Sequence, residues 1–388
     1  SILVFIHLYT HSITTINKYK TIKMKILLPK NEFLEKLESS SRFTSSKLSS
    51  STSLQGVCLI GEEKKINFYS TDLNYYYHSV LKNEADDKFK IIIEPKKIIE
   101  FLSLLPEAKI EIDIKEKAIV ITQGKIKGQF PLFSNQDFPF PPKNTEERQK
   151  IKTSFFKENL PFLFFAVSGD ETRPVLTGVN FVTNDESLQL VATDGFRLSL
   201  LTLKRDLPFA SMIIPAGFLI NAQRFISKEL EIEFSYLKNE KLLAFFIGDN
   251  DIYVRMIEGE YPPFEKVIPT EKKTTVTIDS DEFLRSVKLV SVFSKEFSNI
   301  VIMEVEKESV KFVPKVGQGE EDVVYQEAKI EGEPQKIAFN YKYLIDFLSQ
   351  TSKKKIIIEL LRSDAPAVFK IEGVNNFFHI IMPVRIQE

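Results

Sequence analysis

The chain has 388 residues, of which 43% are hydrophobic and 27% charged, a length and composition typical of a globular protein of two or three domains. Its 52 lysines and arginines nearly balance its 53 aspartates and glutamates, and the net charge of −1 excludes a strongly basic nucleic-acid binder. The single cysteine, Cys58, excludes a disulfide framework and any zinc site with several cysteine ligands, which fits a reducing cytosol.

Residues 1–23 differ from the rest of the chain. Their apolar stretch SILVFIHLY is about half the length of a membrane span, and it lacks the basic region and small-residue cleavage site of a signal peptide. Met24 has the context of a natural start, so we expect residues 1–23 to be a disordered extension. No other stretch approaches ~18 consecutive apolar residues, and no membrane segment is predicted.

After Met24, three stretches repeat one pattern. Each opens with a polar residue that we predict to cap a helix, followed by apolar residues spaced three and four apart, as in an amphipathic helix. The three polar residues are Asn31, Thr153 and Ser280. A predicted strand follows in the first two copies, SLQGVCLI at 53–60 and VLTGVNFV at 175–182.

The spacing between copies indicates an internal duplication. Gly56 and Gly178 lie 122 residues apart, and so do Asp72 and Asp194, each of which follows a threonine. Two independent features with one offset are hard to obtain by chance, and fixed periods are the signature of repeat architectures.

A second predicted helix closes each copy, at 94–105, 214–226 and 339–350. Pro95 and Pro215 are expected in the first turn of their helices, where proline is tolerated, and Asn340 is expected to cap the third. Alternating apolar and polar residues at 110–124 are typical of strands.

The predicted fold class is therefore α+β, with three repeated domains that each pack two helices on antiparallel sheets. The expected bounds are 24–145, 146–271 and 272–388, with linkers near 143–150 and 270–274.

The sequence offers no convincing catalytic or metal site. None of the four histidines, His7, His11, His78 and His379, has metal-ligand spacing to a second histidine or cysteine. The phosphate-binding, dinucleotide-binding and nucleophile-elbow glycine motifs are missing. The Asp-Gly pair at 194–195 is interpreted as a turn rather than as a catalytic acid. We therefore predict no enzyme activity, no metal and no cofactor.

Four motifs carry a resemblance to a known family. They are TRPVLTG at 172–178, VATDGFRL at 191–198, EGEYP at 258–262 and the terminal IMPVRI at 381–386. With these motifs in order, the chain from Met24 to its end resembles the bacterial DNA polymerase III beta subunit, the DNA sliding clamp. Together the motifs are highly specific, whereas a lone Thr-Asp-Gly would not be.

The resemblance implies a homodimer, in which two head-to-tail chains close a ring of six similar domains around duplex DNA, with helices lining the hole. It implies a processivity factor that tethers other proteins and is not itself catalytic. The implied partners are the DNA polymerase III alpha subunit, the clamp loader delta subunit, and other polymerases and repair proteins. The implied location is cytoplasmic and nucleoid-associated, with no membrane.

A closed ring holds DNA because the DNA passes through its hole, so a strong net positive charge is not needed for binding. A near-neutral chain can therefore act as a clamp if its basic residues concentrate on the inner helices. Loose phosphate contacts carry no base information and suit sliding. The candidates on the predicted helices are Lys36, Arg42, Lys96, Lys97, Lys157, Arg224, Lys228, Arg285, Lys288, Lys295 and Lys342. Matching to the family's DNA contacts favours Lys47, Lys97 and Arg173, to which we add Arg224. The alternative for any one of them is an ordinary solvated helix face.

The resemblance also implies a groove for short partner peptides. Its positions map onto Leu176, Thr193, Gly195, Phe196, Arg197, Leu198, Pro262, Lys266, Val267, Asn340, Tyr343, Ala365, Ala367, Ile380, Met382, Pro383, Val384, Arg385 and Ile386. Apolar walls with a few polar groups, here Arg197 and Asn340, suit such a site, and the alternative for each apolar member is core packing. Phe196 stands where histidine or tyrosine is frequent, and Gln387 and Glu388 extend beyond the usual ending.

Two other functions stay open at this point. One is a three-domain enzyme with unrecognised catalytic residues, which the missing motifs and the repeat disfavour. The other is a repeat scaffold that binds proteins without encircling DNA, which retention on DNA would distinguish from a clamp.

Overall fold

A computed structural model describes residues 24–46, 51–84, 86, 88–133, 137–205, 209–226, 230–294, 298–315 and 323–385. The predicted extension at 1–23 lies outside these residues. The helices are α1 (Lys30–Ser41), α2 (Thr52–Gln55), α3 (Pro95–Ser103), α4 (Thr153–Asn159), α5 (Pro161–Phe164), α6 (Ala216–Phe225), α7 (Ser280–Ser294) and α8 (Tyr341–Leu348). Two 3-10 helices span Pro174–Thr177 and Phe264–Val267.

The strands account for most of the remaining regular structure. In chain order they are β1 (Met24–Pro29), β2 (Val57–Glu62), β3 (Lys65–Thr71), β4 (Tyr75–Lys82), β5 (Phe89–Ile93), β6 (Lys109–Ile114), β7 (Ala118–Gln123), β8 (Ile126–Phe133), β9 (Gln149–Lys152), β10 (Gly178–Thr183), β11 (Ser187–Thr193), β12 (Arg197–Lys204), β13 (Met212–Pro215), β14 (Glu231–Leu237), β15 (Leu242–Ile247), β16 (Asn250–Arg255), β17 (Thr274–Asp279), β18 (Ile300–Val305), β19 (Ser309–Pro314), β20 (Val324–Glu327), β21 (Lys329–Gly332), β22 (Gln335–Asn340), β23 (Lys355–Leu360), β24 (Ala367–Ile371) and β25 (Val374–Ile381).

The chain divides into two compact units, each described here by itself. Unit 1 contains the residues up to 150 together with 232–255. Its strands follow the order β1-β6-β7-β8-β5-β2-β3-β4-β16-β15-β14. Helices α1 and α3 pack against each other over this sheet, and Phe33 and Leu37 of α1 and Ile98 and Leu102 of α3 are fully buried in the core.

Unit 2 contains residues 151–231 and those from 256 onward. It holds a nine-stranded sheet, ordered β13-β10-β11-β12-β25-β24-β23-β17-β21, and a four-stranded sheet, ordered β20-β19-β18-β22. The pairing of β12 with β25, in which Leu198 faces Ile380, joins strands of the second and third repeats in one sheet. Helices α4 and α6 contact each other, as do α7 and α8.

The first helix of every repeat begins in the same way. The backbone N–H of its first residue donates to the carbonyl of the residue that directly precedes β6, β14 or β23, the strand after the second helix of the same repeat. This N–H therefore needs no side-chain cap. The three bonds join Lys30 to Ala108 (3.2 Å), Thr153 to Leu230 (2.9 Å) and Ser280 to Lys354 (3.0 Å). The predicted caps are therefore wrong: Asn31 is the second residue of its helix, and Thr153 and Ser280 are the first.

The 122-residue offset holds at the level of single atoms. In both turns the threonine hydroxyl donates to the carbonyl four residues later, and the following aspartate accepts from backbone N–H groups two and three residues beyond it. In the first copy, the Thr71 hydroxyl donates to the Tyr75 carbonyl, and Asp72 accepts from the N–H groups of Asn74 and Tyr75. In the second copy, the Thr193 hydroxyl donates to the Arg197 carbonyl, and Asp194 accepts from the N–H groups of Phe196 and Arg197. The interpretation of Asp194 as a turn residue is confirmed.

The strand beside each turn repeats as well. In unit 1, β16 lies next to β4, and the Arg255 N–H donates to the Asn74 carbonyl at 2.8 Å. In unit 2, β25 lies next to β12, and the Met382 N–H donates to the Phe196 carbonyl, also at 2.8 Å. Asn74 and Phe196 are again 122 residues apart.

The repeated glycines mark the start of a strand. Residues ahead of Gly56 and Gly178 form helical turns, so the predicted strands at 53–60 and 175–182 were too long at their N-terminal ends. A Cβ would collide in both copies, with Ile92 Cγ2 (2.5 Å) and the Ile93 carbonyl (3.0 Å) at Gly56, and with Ile213 Cγ2 (2.7 Å) and the Ile214 carbonyl (2.9 Å) at Gly178. Glycine is needed because two strands approach closely.

The second helices and the α+β class are confirmed. Pro95 is the first residue of α3, and Asn340 caps α8 by accepting from the Lys342 N–H at 3.1 Å. Pro215 precedes α6 and ends β13 instead of lying in the first turn. The alternating segment at 110–124 forms β6 and β7, an antiparallel pair.

Candidate functional site

The sheet of unit 2 carries an apolar cluster where β12 meets β25. Its buried members are Val191, Leu198, Leu200, Phe264, Val368 and Ile380, and Val182, Tyr261, Ile268 and Phe378 pack around them. The Tyr261 hydroxyl points to the Val191 carbonyl at 3.5 Å, and burial raises the pKa of this phenol. This cluster is called the apolar floor below.

A cavity of about 380 Å³ lies in the same unit. It is lined by Lys266, Val267, Ile268, Pro269, Thr270, Glu271, Leu361, Arg362, Ala365, Pro366 and Met382. Four of these, Lys266, Val267, Ala365 and Met382, are predicted groove residues. The loop after β23, with Leu361 and Arg362, was missed because its approach to the second repeat depends on the fold rather than on any local motif.

The turn between β11 and β12 forms the rim. The Phe196 N–H donates to Asp194 Oδ1 at 2.8 Å, and its carbonyl accepts from Met382, so its backbone is held on both sides. Phe196 as a whole is 58% exposed. The segment after β25 is fixed again at Val384, whose N–H donates to the Ala338 carbonyl at 2.8 Å.

Arg197 is the most highly connected polar group of the rim. Its Nε lies 3.0 Å from Asp194 Oδ2 and its Nη1 lies 2.6 Å from Asp346 Oδ2. The guanidinium lies over the Tyr343 ring, 4.5 Å from its centroid. Burial, and then the Asp194 charge, raises the pKa of Tyr343. Asp346 was missed, although its place three residues after Tyr343 on α8 puts both on one helix face.

Beneath this rim lies His379 on β25. It is fully buried, its Nδ1 lies 2.9 Å from Ser199 Oγ, and its ring stacks on Phe347 with 5.1 Å between centroids. Burial, reinforced by the nearby Arg197, lowers the pKa of this imidazole to about 3. His379 is therefore a neutral packing element of the sheet at ordinary pH.

Family comparison decides what kind of protein carries this site. Three family models cover the chain in order: the N-terminal domain of the DNA polymerase III beta subunit at residues 24–142, its central domain at 150–263 and its C-terminal domain at 265–385. The chain belongs to the DNA polymerase III beta subunit family. The resemblance seen in the motifs is confirmed, and so are the three repeated domains.

Curated relatives agree over nearly the whole chain. The beta sliding clamp of Bacillus subtilis is 26% identical over 381 residues, which cover 93% of this chain and 100% of that protein. The beta sliding clamp of Streptococcus pneumoniae serotype 4 is 28% identical over 383 residues, covering 92% and 98%. The function of this beta subunit is that of a sliding clamp, which is not itself catalytic.

Solved structures show the same fold. The DNA polymerase III beta subunit of Thermotoga maritima superimposes with a TM-score of 0.85 at 24% identity, covering 94% of this chain and all of the other. The sliding clamp of Bartonella birtlesii, solved bound to griselimycin, gives 0.85 at 24% identity, with 94% and 100% covered.

The predicted groove residues of this beta subunit fall into two groups. Leu176, Thr193, Leu198, Ala365, Ala367 and Ile380 are buried, and Leu198 and Ile380 belong to the apolar floor. The exposed members are Gly195, Phe196, Pro262, Lys266, Val267, Met382 and Arg385, and Arg197, Asn340, Tyr343, Pro383 and Val384 are partly exposed. Ile386, like Gln387 and Glu388, lies outside the described residues.

The described residues among the predicted DNA contacts lie on different elements. Lys97 is exposed on α3 and pairs with Glu94 at 3.5 Å, and Arg224 is exposed in the last turn of α6. Lys47 lies outside the described residues. Among the wider helix candidates, Lys36 forms an ion pair with Asp249 and is 14% exposed, which makes it a poor phosphate contact.

Arg173 lies close to the rim. It precedes the first 3-10 helix, and its Nε bonds to Asp170 Oδ2 at 3.3 Å. A Cβ at Gly195 would lie 3.4 Å from its Nη1. Arg173 thus borders the Asp194–Phe196 turn while its side chain stays about half exposed.

Within the described ranges, no group of three or more histidine, cysteine, aspartate or glutamate side chains is placed to hold a metal ion. In the same residues, no helix is long and apolar enough to span a membrane.

Proposed function

We propose that two copies of this beta subunit close head to tail into a ring around duplex DNA and that the ring tethers replication and repair proteins. The supporting observation is the match of all three family domains in sequence order, from residue 24 to residue 385. A ring of repeated domains retains DNA by topology, so a net charge of −1 is compatible with this function.

Two separate surfaces support a head-to-tail contact. In unit 2, α7 exposes Leu289, Val292 and Phe293, and β20 is the outer strand of its sheet. In unit 1, Leu104 is 82% exposed after α3, and Ile126 is exposed at the start of β8. Exposed strand edges and apolar side chains favour association with another chain. A heterologous contact between such surfaces forms a ring when its rotation closes.

The groove on unit 2 is proposed to bind short peptides of its partners. Phe196, Val267 and Met382 are large apolar side chains that remain exposed beside a buried apolar floor, the arrangement expected of an anchor site. The proposed owners of the peptides are the DNA polymerase III alpha subunit, the clamp loader delta subunit, other polymerases and repair proteins.

Loose contacts to DNA phosphates are proposed for Lys47, Lys97, Arg173 and Arg224. The proposed domains span 24–145, 146–271 and 272–388, and residues 1–23 are proposed to be an extension that precedes them. A protein that encircles DNA would be found on the nucleoid.

Retention on DNA tests the ring. The labelled protein is placed on nicked circular plasmid by a bacterial clamp loader with ATP, and the complex is isolated by gel filtration. We expect the protein to stay with circular DNA in salt that removes simple phosphate contacts, and to be released after the plasmid is cut once. Equal retention on circular and linear DNA, or none on either, would identify a scaffold instead.

Fluorescence anisotropy of a labelled Gln-Leu-Ser-Leu-Phe peptide tests the groove. We expect saturable binding that is lost in a chain ending at Ile381 and in Arg197→Ala. The matched control is Arg205→Ala, because Arg205 follows the far end of β12 and pairs with Asp185 at 3.5 Å. Equal losses in both arginine variants would count against this location.

A further inference from the structure

The cavity of unit 2 carries an inference that rests on the proposed peptide groove. Its volume of about 380 Å³ lies in the range of small-ligand sites. Val267 and Met382, two exposed apolar residues of the groove, line it together with Pro269, Leu361 and Pro366, which the family resemblance did not assign to any site. The cavity therefore extends the groove beyond its predicted residues.

Backbone hydrogen bonds hold the walls of this cavity. The Ala365 N–H donates to the Arg362 carbonyl at 3.2 Å, which closes the turn between β23 and β24. The Lys273 N–H donates to the Leu360 carbonyl at 2.8 Å, which joins the segment before β17 to the end of β23. A preformed wall lowers the ordering cost that a ligand must overcome.

The charged residues of the lining have both signs. Lys266, Glu271 and Arg362 are all exposed, and Arg362 Nε lies 2.6 Å from Asp364 Oδ1. Because these groups stay in water, they favour neither an acidic nor a basic ligand. Apart from Thr270, the other lining residues are apolar. The cavity therefore suits an uncharged apolar group.

The two faces of the sheet give the groove a direction. Arg197 and Leu198 are neighbours in β12, so their side chains lie on opposite faces. Arg197 contacts Tyr343 of α8 on one face, whereas Leu198 belongs to the apolar floor on the other. Ile268 packs against the apolar floor and also lines the cavity. A peptide that crosses the end of β12 therefore passes from polar groups on the α8 side to the cavity on the floor side.

We propose that this cavity binds an apolar side chain at position 6 of a partner peptide, directly after the phenylalanine of Gln-Leu-Ser-Leu-Phe. The glutamine at the start of such a peptide matches the polar groups of Arg197 and Asn340. Its Leu-Phe end matches Val267 and Met382, which border the cavity. The next residue then reaches the cavity, where an apolar side chain leaves water and strengthens binding.

The experiment uses the full chain and two pairs of hexapeptides, each amidated at its C-terminus and labelled through an N-terminal Gly-Ser spacer. One pair carries leucine or serine at position 6, after the phenylalanine, and the other pair carries leucine or serine before the glutamine. Anisotropy gives the ratio of the two dissociation constants in each pair. For wild type we expect leucine to bind about fivefold more tightly than serine at position 6, and less than about twofold more tightly before the glutamine.

Leu361 is the residue to change, because it lines the cavity and is outside the predicted groove set. In Leu361→Ser the position-6 ratio should fall below about twofold, since the apolar wall is lost. Leu361→Met keeps an apolar wall and should retain the wild-type ratio. Leu230→Ser is the matched control, because Leu230 is 85% exposed and does not line the cavity; it should also retain that ratio. Circular dichroism verifies that each variant is folded.

The outcomes separate this proposal from the groove itself. A position-6 ratio near one in wild type, an equal gain from leucine at both ends, or an unchanged ratio in Leu361→Ser would overturn the position-6 site and leave the groove intact. Failure of all four peptides to bind wild type would instead overturn the groove.

Discussion

Buried His379 shows how one residue of this beta subunit couples stability to pH. Its imidazole is fully buried against Phe347, and burial lowers its pKa to about 3, from an ordinary value of 6.5. The unfolded chain therefore binds a proton between these two pH values that the folded chain does not bind. By linkage, the free energy of unfolding has its full value above pH 6.5 and decreases as the pH falls from 6.5 toward 3, because protons bind preferentially to the unfolded chain.

Replacing His379 by glutamine should flatten this pH dependence. Wild type is expected to lose about 2 kcal/mol more than His379→Gln between pH 7.5 and 5, since each pH unit below 6.5 is worth up to about 1.4 kcal/mol. Urea unfolding followed by circular dichroism at both pH values measures the difference. Ser199→Ala keeps the imidazole and should retain the wild-type dependence. If all three proteins lose equal stability, the histidine is not the cause.

Gly178 is a second residue whose role follows from its surroundings. Gly178→Ala should destabilise unit 2 by about 2 kcal/mol, because its Cβ would lie 2.7 Å from Ile213 Cγ2 and 2.9 Å from the Ile214 carbonyl. Differential scanning calorimetry should show a lower melting temperature. Gly169→Ala is the control, since a Cβ there meets nothing within 4 Å; an equal shift in that variant would contradict the explanation.

Sequence patterns identified single residues well where chemistry is local. The turn at Asp194 was predicted because its hydrogen bonds join neighbours in the chain. Arg197 came from a family motif, whereas its partner Asp346 lies 149 residues away, and only the pairing of β12 with β25 and the packing of α8 bring them together. A single sequence gives no indication of such a distant pair, apart from the three-residue spacing that puts Tyr343 and Asp346 on one face of α8.

At the scale of elements, the helices begin where strands end, and this explains why the predicted caps were wrong. The first N–H of each opening helix is satisfied by a neighbouring carbonyl, as at Ser280. The residue before Ser280 supplies the remaining cap: Asp279 Oδ1 accepts from the N–H groups of Asp281 and Glu282, both at 3.0 Å. Sequence position alone could not reveal which of two adjacent polar residues caps the helix.

Asp279→Ala should therefore lower the stability of unit 2 by about 1 kcal/mol, through the loss of a charged cap at the positive end of α7. The melting temperature from calorimetry checks this. Asp185→Ala, which removes an exposed aspartate from a turn between strands, should change it little. A destabilisation of the same size in both variants would show that cap loss is not responsible.

At the scale of the whole molecule, the helix pattern shared by three stretches, with a 122-residue offset between the first two, predicted three similar α+β domains, and the family comparison confirms them. The repeat did not predict that β16 pairs with β4 and β25 with β12. These pairings join distant parts of the chain, and periodicity within a segment says nothing about which strand lies beside it.

The last prediction concerns the contact that joins the two chains of the proposed dimer. Val292 and Phe293 are 65% and 44% exposed on α7, at positions where aspartate costs little folding energy because the side chains are already in water. In a head-to-tail ring, two buried carboxylates at each contact would oppose association. The double variant Val292→Asp, Phe293→Asp should therefore be monomeric at micromolar concentration, whereas wild type should have twice the chain mass of 44.7 kDa.

Size-exclusion chromatography with light scattering measures both masses, and circular dichroism verifies that the double variant is folded. Leu73→Asp is the matched control, since Leu73 is 46% exposed at the apex of the turn between β3 and β4 and has a positive φ of 76° that aspartate tolerates. That control should remain a dimer. A dimeric double variant would show that the contact between chains does not involve α7, and a monomeric wild type would contradict the proposed ring.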